Sequence, residues 1–303
     1  MNRRIAIFTD DPGWHGARLH EAFAARGWHS HFVSLQSCGL DLAREDSGLV
    51  LPGFETLPDG AFVRGVPGGT LEQVILYLDI LHALRRLGVL VYNDARAIER
   101  SVDKAMTSFL LRTAGVPTPP AWVTGDPDRA RTVVERERRA GHVLVLKPLF
   151  GSQGQGVARV FEPSELPPPE HCNGVYYLQR FVSTGSASAH YWRVFVIGGR
   201  AVAAMRRCAE GWITNVAQGA NCQPALLDIE LRELAESSAA VLEMHYAGVD
   251  ILRDIEGRAS VIEVNSIPAW KGLQQVCPLD VADSLVADFL RCCPSAPLVE
   301  AVG

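Results

Sequence analysis

Over roughly the first ninety residues, apolar side chains come in short unbroken runs, each followed by a stretch in which they recur every three or four positions. Ile5 to Phe8 has the pattern of a buried strand and ends in Thr9-Asp-Asp-Pro-Gly13, a turn. His15 to Arg26 has helical spacing and stops at Gly27. His31 to Leu35 predicts a second strand. Leu49 to Leu51 and Ala61 to Arg64 predict short ones, and Val89 to Tyr92 another, closed by Asn93-Asp94. Thr70, with Glu72 and Gln73 behind it, is placed to cap a helix running to about Leu87. This alternation predicts a small parallel α/β sheet.

Further on the pattern changes. Residues near 94–116 read as helical, with Asp103 and Lys104 early in the second of two helices. Asp126 to Arg139 is a charged helix. Val143 to Lys147, Val157 to Phe161, Val175 to Gln179, Trp192 to Ile197 and Ala201 to Met205 are strands separated by turns, an antiparallel pattern. Glu162 to Glu170 is proline-rich and reads as an exposed loop. A helix over Ile229 to His245, a strand pair Val249 to Leu252 and Ser260 to Val264, and a closing helix Val281 to Leu290 complete the chain. The boundaries predicted are an α/β domain over 1–95, a central lobe over 96–183 and a C-terminal lobe over 184–303, the last two of α+β character.

With 303 residues, 48% of them hydrophobic, the chain can bury a real core, which excludes a disordered or collagen-like protein. A net charge of −5 argues against coating nucleic acid or an anionic membrane. No run approaches the roughly 20 apolar residues of a membrane span, and the N-terminus is not a signal-peptide pattern. Seven cysteines without a C-x-x-C predict neither a disulfide framework nor a thiolate metal site, so the expected compartment is the cytoplasm. The cations are lopsided: among 29 Lys and Arg residues only Lys104, Lys147 and Lys271 are lysines. A compact ammonium is not interchangeable with a guanidinium, so each lysine invites a reason.

Three groupings carry candidate chemistry. Val143-Leu-Val-Leu-Lys147-Pro148 delivers a lysine into the glycine-rich turn Gly151-Ser-Gln-Gly154-Gln-Gly156. Such backbone can approach a phosphate, with the lysine as point charge. Because Gly156 continues into a strand, the turn is neither a Walker loop nor a dinucleotide fingerprint; an ordinary glycine-rich hairpin has the same pattern. In Glu263-Val-Asn265, alternation puts both polar side chains on one strand face, where Asp250 can join them across a strand pair. Two carboxylates and an amide oxygen suit Mg²⁺; a solvated acidic patch is the alternative. Arg193 interrupts an apolar strand, and Arg206-Arg207 end the next one. They could clamp a phosphoryl group or a carboxylate, or be surface arginines. The turn after Phe8 lacks the glycines of a Rossmann oxidoreductase.

Taken together, Asp103-Lys104, Lys147-Pro, Gly151 to Gly156, Leu178-Gln-Arg-Phe181, Arg193, Arg206-Arg207, Asn215, Gly248-Val-Asp250-Ile-Leu-Arg253 and Glu263-Val-Asn265-Ser-Ile-Pro268 resemble the ATP-grasp superfamily. The likeness is greatest to its RimK-type α-L-glutamate ligases, among them the tetrahydromethanopterin-modifying branch, and covers the chain from about residue 90 onward. The resemblance implies an ATP-grasp fold behind a Rossmann-like pre-ATP-grasp domain, and the following roles. Lys104 and Lys147 contact ATP phosphates, and Lys147 also reaches towards adenine. Gly151, Ser152, Gln153, Gly154 and Gly156 form a loop closing over the phosphates. Gln179, Arg180, Phe181 and Val182 form the hinge whose backbone reads adenine, and Asn215 sits near the phosphates. Asp250, Glu263 and Asn265 hold two Mg²⁺, or Mn²⁺ in their place. Arg193 and Arg207 hold the γ-phosphate and the substrate carboxylate. Two departures stand out: Arg180 occupies a hinge position usually held by a carboxylate, and Tyr191 precedes Arg193 where the family often has Asp.

What the resemblance implies for function is an ATP-dependent carboxylate–amine ligase working through an acyl phosphate. It would add L-glutamate to a tetrahydromethanopterin-type pterin. A protein C-terminus, a furan cofactor or an amino-acid intermediate are other acceptors for the same chemistry, and a non-catalytic ATP-binding regulator is the rival class. The implied partners are a small-molecule acceptor and an amino acid, with a homodimer or homotetramer as the assembly and no nucleic acid or membrane.

Overall fold

The computed structural model describes residues 3–151, 155–185, 189–209 and 221–293. Ser152, Gln153, Gly154 and Asn215, all expected near phosphates, lie outside the described residues. Two compact units divide the chain: residues 1–98 with 269–274 and 278–303, and residues 99–268 with 275–277.

The first unit grows from β1 (Arg4–Phe8), α1 (Gly13–Ala24) and β2 (His29–Val33). A small antiparallel pair, β3 (Gly39–Leu40) and β4 (Leu49–Val50), follows, then β5 (Gly60–Val63), α2 (Leu71–Arg86) and β6 (Leu90–Tyr92). The main strands form a parallel sheet in the order β2-β1-β5-β6. Ile5 to Phe8 and Ala61 to Val63 are fully buried, as expected of parallel strands covered on both faces. The Thr70 hydroxyl accepts from Gln73 N while the Gln73 side chain accepts from Thr70 N, a reciprocal cap that fixes where α2 begins.

The second unit starts in α3 (Ala95–Val102), whose first turn still belongs to the first unit, and continues through α4 (Lys104–Thr113), β7 (Ala121–Thr124), α5 (Pro127–Arg139), β8 (Leu144–Lys147), β9 (Ala158–Val160) and β10 (Tyr176–Arg180). Strands β7-β10-β8-β9 make an antiparallel sheet. Period-two alternation gives it two faces. Leu144, Leu146, Tyr176 and Leu178 pack with Ala130, Val133 and Val134 of α5. Val145, Lys147, Tyr177 and Gln179 alternate with them. A second antiparallel sheet, in the order β13-β12-β11-β14-β15, is built from β11 (Ala189–Ile197), β12 (Arg200–Ala209), β13 (Asn221–Pro224), β14 (Tyr246–Arg253) and β15 (Ala259–Asn265), with α6 (Ile229–Val241) packed on it.

The chain then returns to the first unit through α7 (Lys271–Gln274) and α8 (Val281–Cys292). Here the sequence expectation of one lobe over 184–303 differs from what is seen. Helix α8 presents Val281, Leu285, Val286 and Phe289, all buried, and Phe289 sits among Phe23, Phe62 and Tyr92, with ring centroids 5.3–5.8 Å away. An apolar stripe on a terminal helix says that it must be buried but not against which sheet. No helix among the described residues is long and apolar enough to cross a membrane.

Candidate active site

The candidate site lies wholly within the second unit. The Asp103 carboxylate caps α4, accepting from Ala105 N at 2.8 Å and Met106 N at 3.1 Å, and so fixes Lys104 in the first turn. The Lys104 ammonium donates to the carbonyl of Gly151 at 2.9 Å, the start of the glycine-rich turn. Lys147 ends β8 and donates to the Gln179 side-chain oxygen at 2.6 Å. Gln179 is 3% exposed, and its Nε2 has no hydrogen-bond partner among the described residues. A buried amide donor beside an ammonium is therefore ready for an acceptor atom that the protein does not supply. Tyr177, cross-strand neighbour of Lys147, bonds to Ser108 at 2.7 Å and ties this sheet face to α4. Gly156 holds φ +69°, and a Cβ there would sit 2.9 Å from Pro148 Cγ, so glycine is required for the turn to fold back on Lys147-Pro148.

The second sheet supplies a row of charges by register. Arg193 pairs with Asp250 across β11–β14, and Asp250 with Glu263 across β14–β15. The Arg193 guanidinium grips Asp250 with Nε and one Nη, the latter at 2.6 Å, both residues being buried. This closeness needs Gly248, where a Cβ would lie 3.0 Å from Arg193 Cδ and 2.8 Å from Pro268 Cβ. Glu263 is half-buried and makes no hydrogen bond or ion pair among the described residues. Asn265 turns its Nδ2 to the Gly248 carbonyl at 3.4 Å, which leaves its oxygen available as an acceptor. Arg207 donates to the Tyr191 hydroxyl at 2.8 Å, while its Nε is buried without a partner among the described residues. Arg206 has the alternate orientation on β12 and reaches Gln223 at 2.7 Å near the surface.

Electrostatics joins the two sheets. Burial pushes the Lys147 ammonium down to about 8; neighbouring Lys104 adds to this, and the carboxylates of Glu263 and Asp250 oppose it. Burial also lowers Lys104, against the pull of Glu263 and Asp103. Both lysines thus sense Glu263. Burial works against the Arg193 charge, but Asp250 holds the guanidinium above its usual range. Lys147 is an ammonium below about 8 and an amine above it, so affinity for an anionic nucleotide should fall as the pH rises through that value. Calorimetric titration with ATP on either side of it checks this, and a flat profile would contradict it. Lys147→Met should weaken ATP binding by about tenfold or more and erase the pH dependence.

The residues expected to form the hinge divide by their side-chain surroundings. Arg180 turns its side chain to Glu137 of α5, at 2.6 Å, and Glu137 also holds Arg136 at 3.1 Å. Burial would raise the Glu137 carboxyl, but hydrogen bonds from Arg180 and Arg136 hold it below its usual value. The guanidinium in place of a hinge carboxylate therefore satisfies a buried acid. Arg180→Met should cost about 1–2 kcal/mol of stability and leave the KM for ATP unchanged; a tenfold change in that KM would contradict the assignment. Phe181 lies under the Arg159 guanidinium, 4.4 Å from it, and Val182 is half-buried beside it in the chain.

The donors fit a hard divalent cation: an unpartnered Glu263 carboxylate, the Asn265 oxygen, and the lone pairs of Asp250 that Arg193 leaves over. Among the described residues no cluster of three or more His, Cys, Asp or Glu forms a metal site, so such an ion would rest on two acids and an amide. Sequence reasoning missed Tyr177 and Ser108, and named Tyr191 and Gly248 only within the family resemblance and not as supports. Of these, only Gly248, next to Val249-Asp250 in an apolar strand, carried a signal of close backbone approach.

Residues 101–289 match the RimK-like ATP-grasp domain family. A tetrahydromethanopterin:α-L-glutamate ligase from Methanococcus maripaludis is 33% identical, covering 76% of this chain and 78% of that protein. A protein of the same name from Methanosarcina acetivorans is 26% identical, over 94% of this chain and 98% of that one. A probable α-L-glutamate ligase from Teredinibacter turnerae is 30% identical over 95% of each. Among solved structures, the ATP-grasp ligase PsnB complexed with minimal precursor matches with a TM-score of 0.74 at 18% identity, covering 96% of this chain and 99% of that chain. PsnB complexed with a phosphomimetic precursor variant, Mg and ADP matches equally well, with a TM-score of 0.74 at 19% identity over 96% and 98% of the two chains. The chain belongs to the RimK-like ATP-grasp family and is an ATP-dependent carbon–nitrogen ligase.

Proposed function

We propose that the enzyme joins the amine of L-glutamate to a carboxylate of a small-molecule acceptor of the tetrahydromethanopterin type. The observation that carries this is the convergence of Lys104, Lys147 and an unpartnered Glu263 between two antiparallel sheets, in a chain whose relatives bear that activity in their names. Attack of the acceptor carboxylate on the γ-phosphate of ATP gives an acyl phosphate and ADP. Attack of the amine then gives the amide and releases phosphate. Positioning and charge neutralisation do most of the work in such transfers. Lys104 and Lys147 neutralise the phosphates, and Gln179 Nε2 orients the nucleotide. Arg207, fixed by Tyr191, presents its remaining donors to the transferred group or the acceptor carboxylate. Glu263, Asn265 and Asp250 would hold a Mg²⁺ or Mn²⁺ ion, which would supply positive charge to offset that of the phosphates. The test is ADP release with glutamate and a panel of carboxylic acids. Release that requires both, with an amide of the expected mass, supports the proposal. Release indifferent to the amine, or nucleotide binding without release, defeats it.

A further inference from the structure

Two of the three lysines belong to the nucleotide-facing site; Lys271, in the first unit, does not. It follows Trp270, a fully buried indole at the carboxyl end of the parallel sheet's two central strands. In the order β2-β1-β5-β6, the chain leaves β1 to one side for β2 and leaves β5 to the other side for β6, so this is the topological switch point, where open α/β sheets form ligand crevices. The strand ends are locked there: the Phe8 carbonyl accepts from Arg64 N at 2.8 Å and Gly65 N at 3.0 Å. The Arg64 guanidinium lies 4.5 Å over the Trp270 ring. His15 lies 4.6 Å from that ring, and half-buried Trp14 is 6.4 Å from it and 5.1 Å from His15.

The hydrogen bonding fixes the imidazole. Trp270 N donates to His15 Nε2 at 3.2 Å, so that nitrogen is the acceptor and the proton of the neutral ring sits on Nδ1. Burial, then Arg64 and Lys271, push His15 down to about 4, so it is neutral at ordinary pH and offers an N–H donor. Arg64 and Lys271 are the cations that act on the ring. Of the nearby acids, Asp10 is tied to Ser34 and Gln36, and Asp11 is exposed in the turn before α1. A core cation–π contact alone would need neither the lysine nor the second, partly open indole.

We propose that Trp14, His15, Arg64 and Lys271 form a binding site for an oxyanion carried on a planar ring. Arg64 and Lys271 neutralise the oxyanion, His15 Nδ1–H donates to it, and the ring packs on Trp14.

Calorimetric titration of the full-length protein with pterin carboxylate tests it, with unsubstituted pterin and glutarate as the ring-only and anion-only probes. The acid should bind about tenfold more tightly than either. Arg64→Gln should weaken it about tenfold and Lys271→Gln severalfold, with ADP affinity unchanged in both. Lys271 is exposed, so its variant keeps the test open should Arg64→Gln unfold. No binding by the wild type, equal binding by the variants, equal binding of glutarate, or an equal loss of ADP affinity would each overturn the site. Glutamate-dependent ADP release without pterin carboxylate binding removes the site and leaves the ligase proposal. Binding without release removes the ligase proposal and leaves the site.

Discussion

Replacing Glu263 with alanine is expected to lower ATP-dependent turnover by at least about a hundred- to a thousandfold, the usual cost of removing one preorganised electrostatic group from an active site. The same variant should melt within a few degrees of the wild type. Glu263 is half-buried and has no ion-pair or hydrogen-bond partner among the described residues, so its removal orphans no buried donor. Its strand neighbours Val261 and Val264 make the core contacts of β15 and are untouched. The loss falls on charge: the carboxylate that opposes the depression of both Lys104 and Lys147 disappears, and with it one oxygen of the candidate metal shelf. Steady-state ADP release with a melting curve on the same sample checks both parts. Wild-type turnover in Glu263→Ala would remove the metal shelf from the account.

Arg193→Met should produce a large loss of stability in the second unit. Arg193 and Asp250 are both buried and doubly bonded to one another. Taking away the guanidinium leaves a buried carboxylate with no counter-charge, which costs roughly 3–5 kcal/mol. The double variant Arg193→Met with Asp250→Leu should recover most of that stability, because the desolvated charge goes too, yet remain inactive. Denaturant unfolding of wild type, single and double variants measures the coupling directly. A loss under about 1 kcal/mol in the single variant, or no recovery in the double, would contradict a buried ion pair between them.

That pairing also marks where the sequence stops being informative. Lys147 and the carboxylates of β14 and β15 were recognisable because each interrupts an apolar run or adjoins a glycine cluster, and Lys104 because lysine is scarce in this chain. The alternation of Glu263 and Asn265 placed them on one face without any knowledge of the fold. Arg193 and Asp250 were each singled out, for a phosphate clamp and a metal shelf, but which of them face each other depends on the β11–β14 register, which sequence does not encode locally. The partner of the Arg180 side chain was illegible for the same reason, since Glu137 comes from a helix 43 positions away. The parallel sheet of the first unit was legible from its continuous apolar strands. The short β7 and β13 were not, because each is four residues long and takes its pattern from a single neighbouring strand. The seat of α8 was lost for the reason already given: amphipathicity fixes the face and leaves the partner open.

In the mechanism proposed here, one unit of this chain grips a nucleotide's phosphates between two lysines and an oxygen-donor shelf. A crystal structure of the full-length protein with ADP and Mg²⁺ tests it most directly. The phosphates should lie between the ammonium groups of Lys104 and Lys147 and the side-chain oxygens of Glu263 and Asn265, with Gln179 Nε2 on an acceptor of the nucleotide. Phosphates bound elsewhere, or oxygens of Glu263 and Asn265 turned away from any ion, would contradict it.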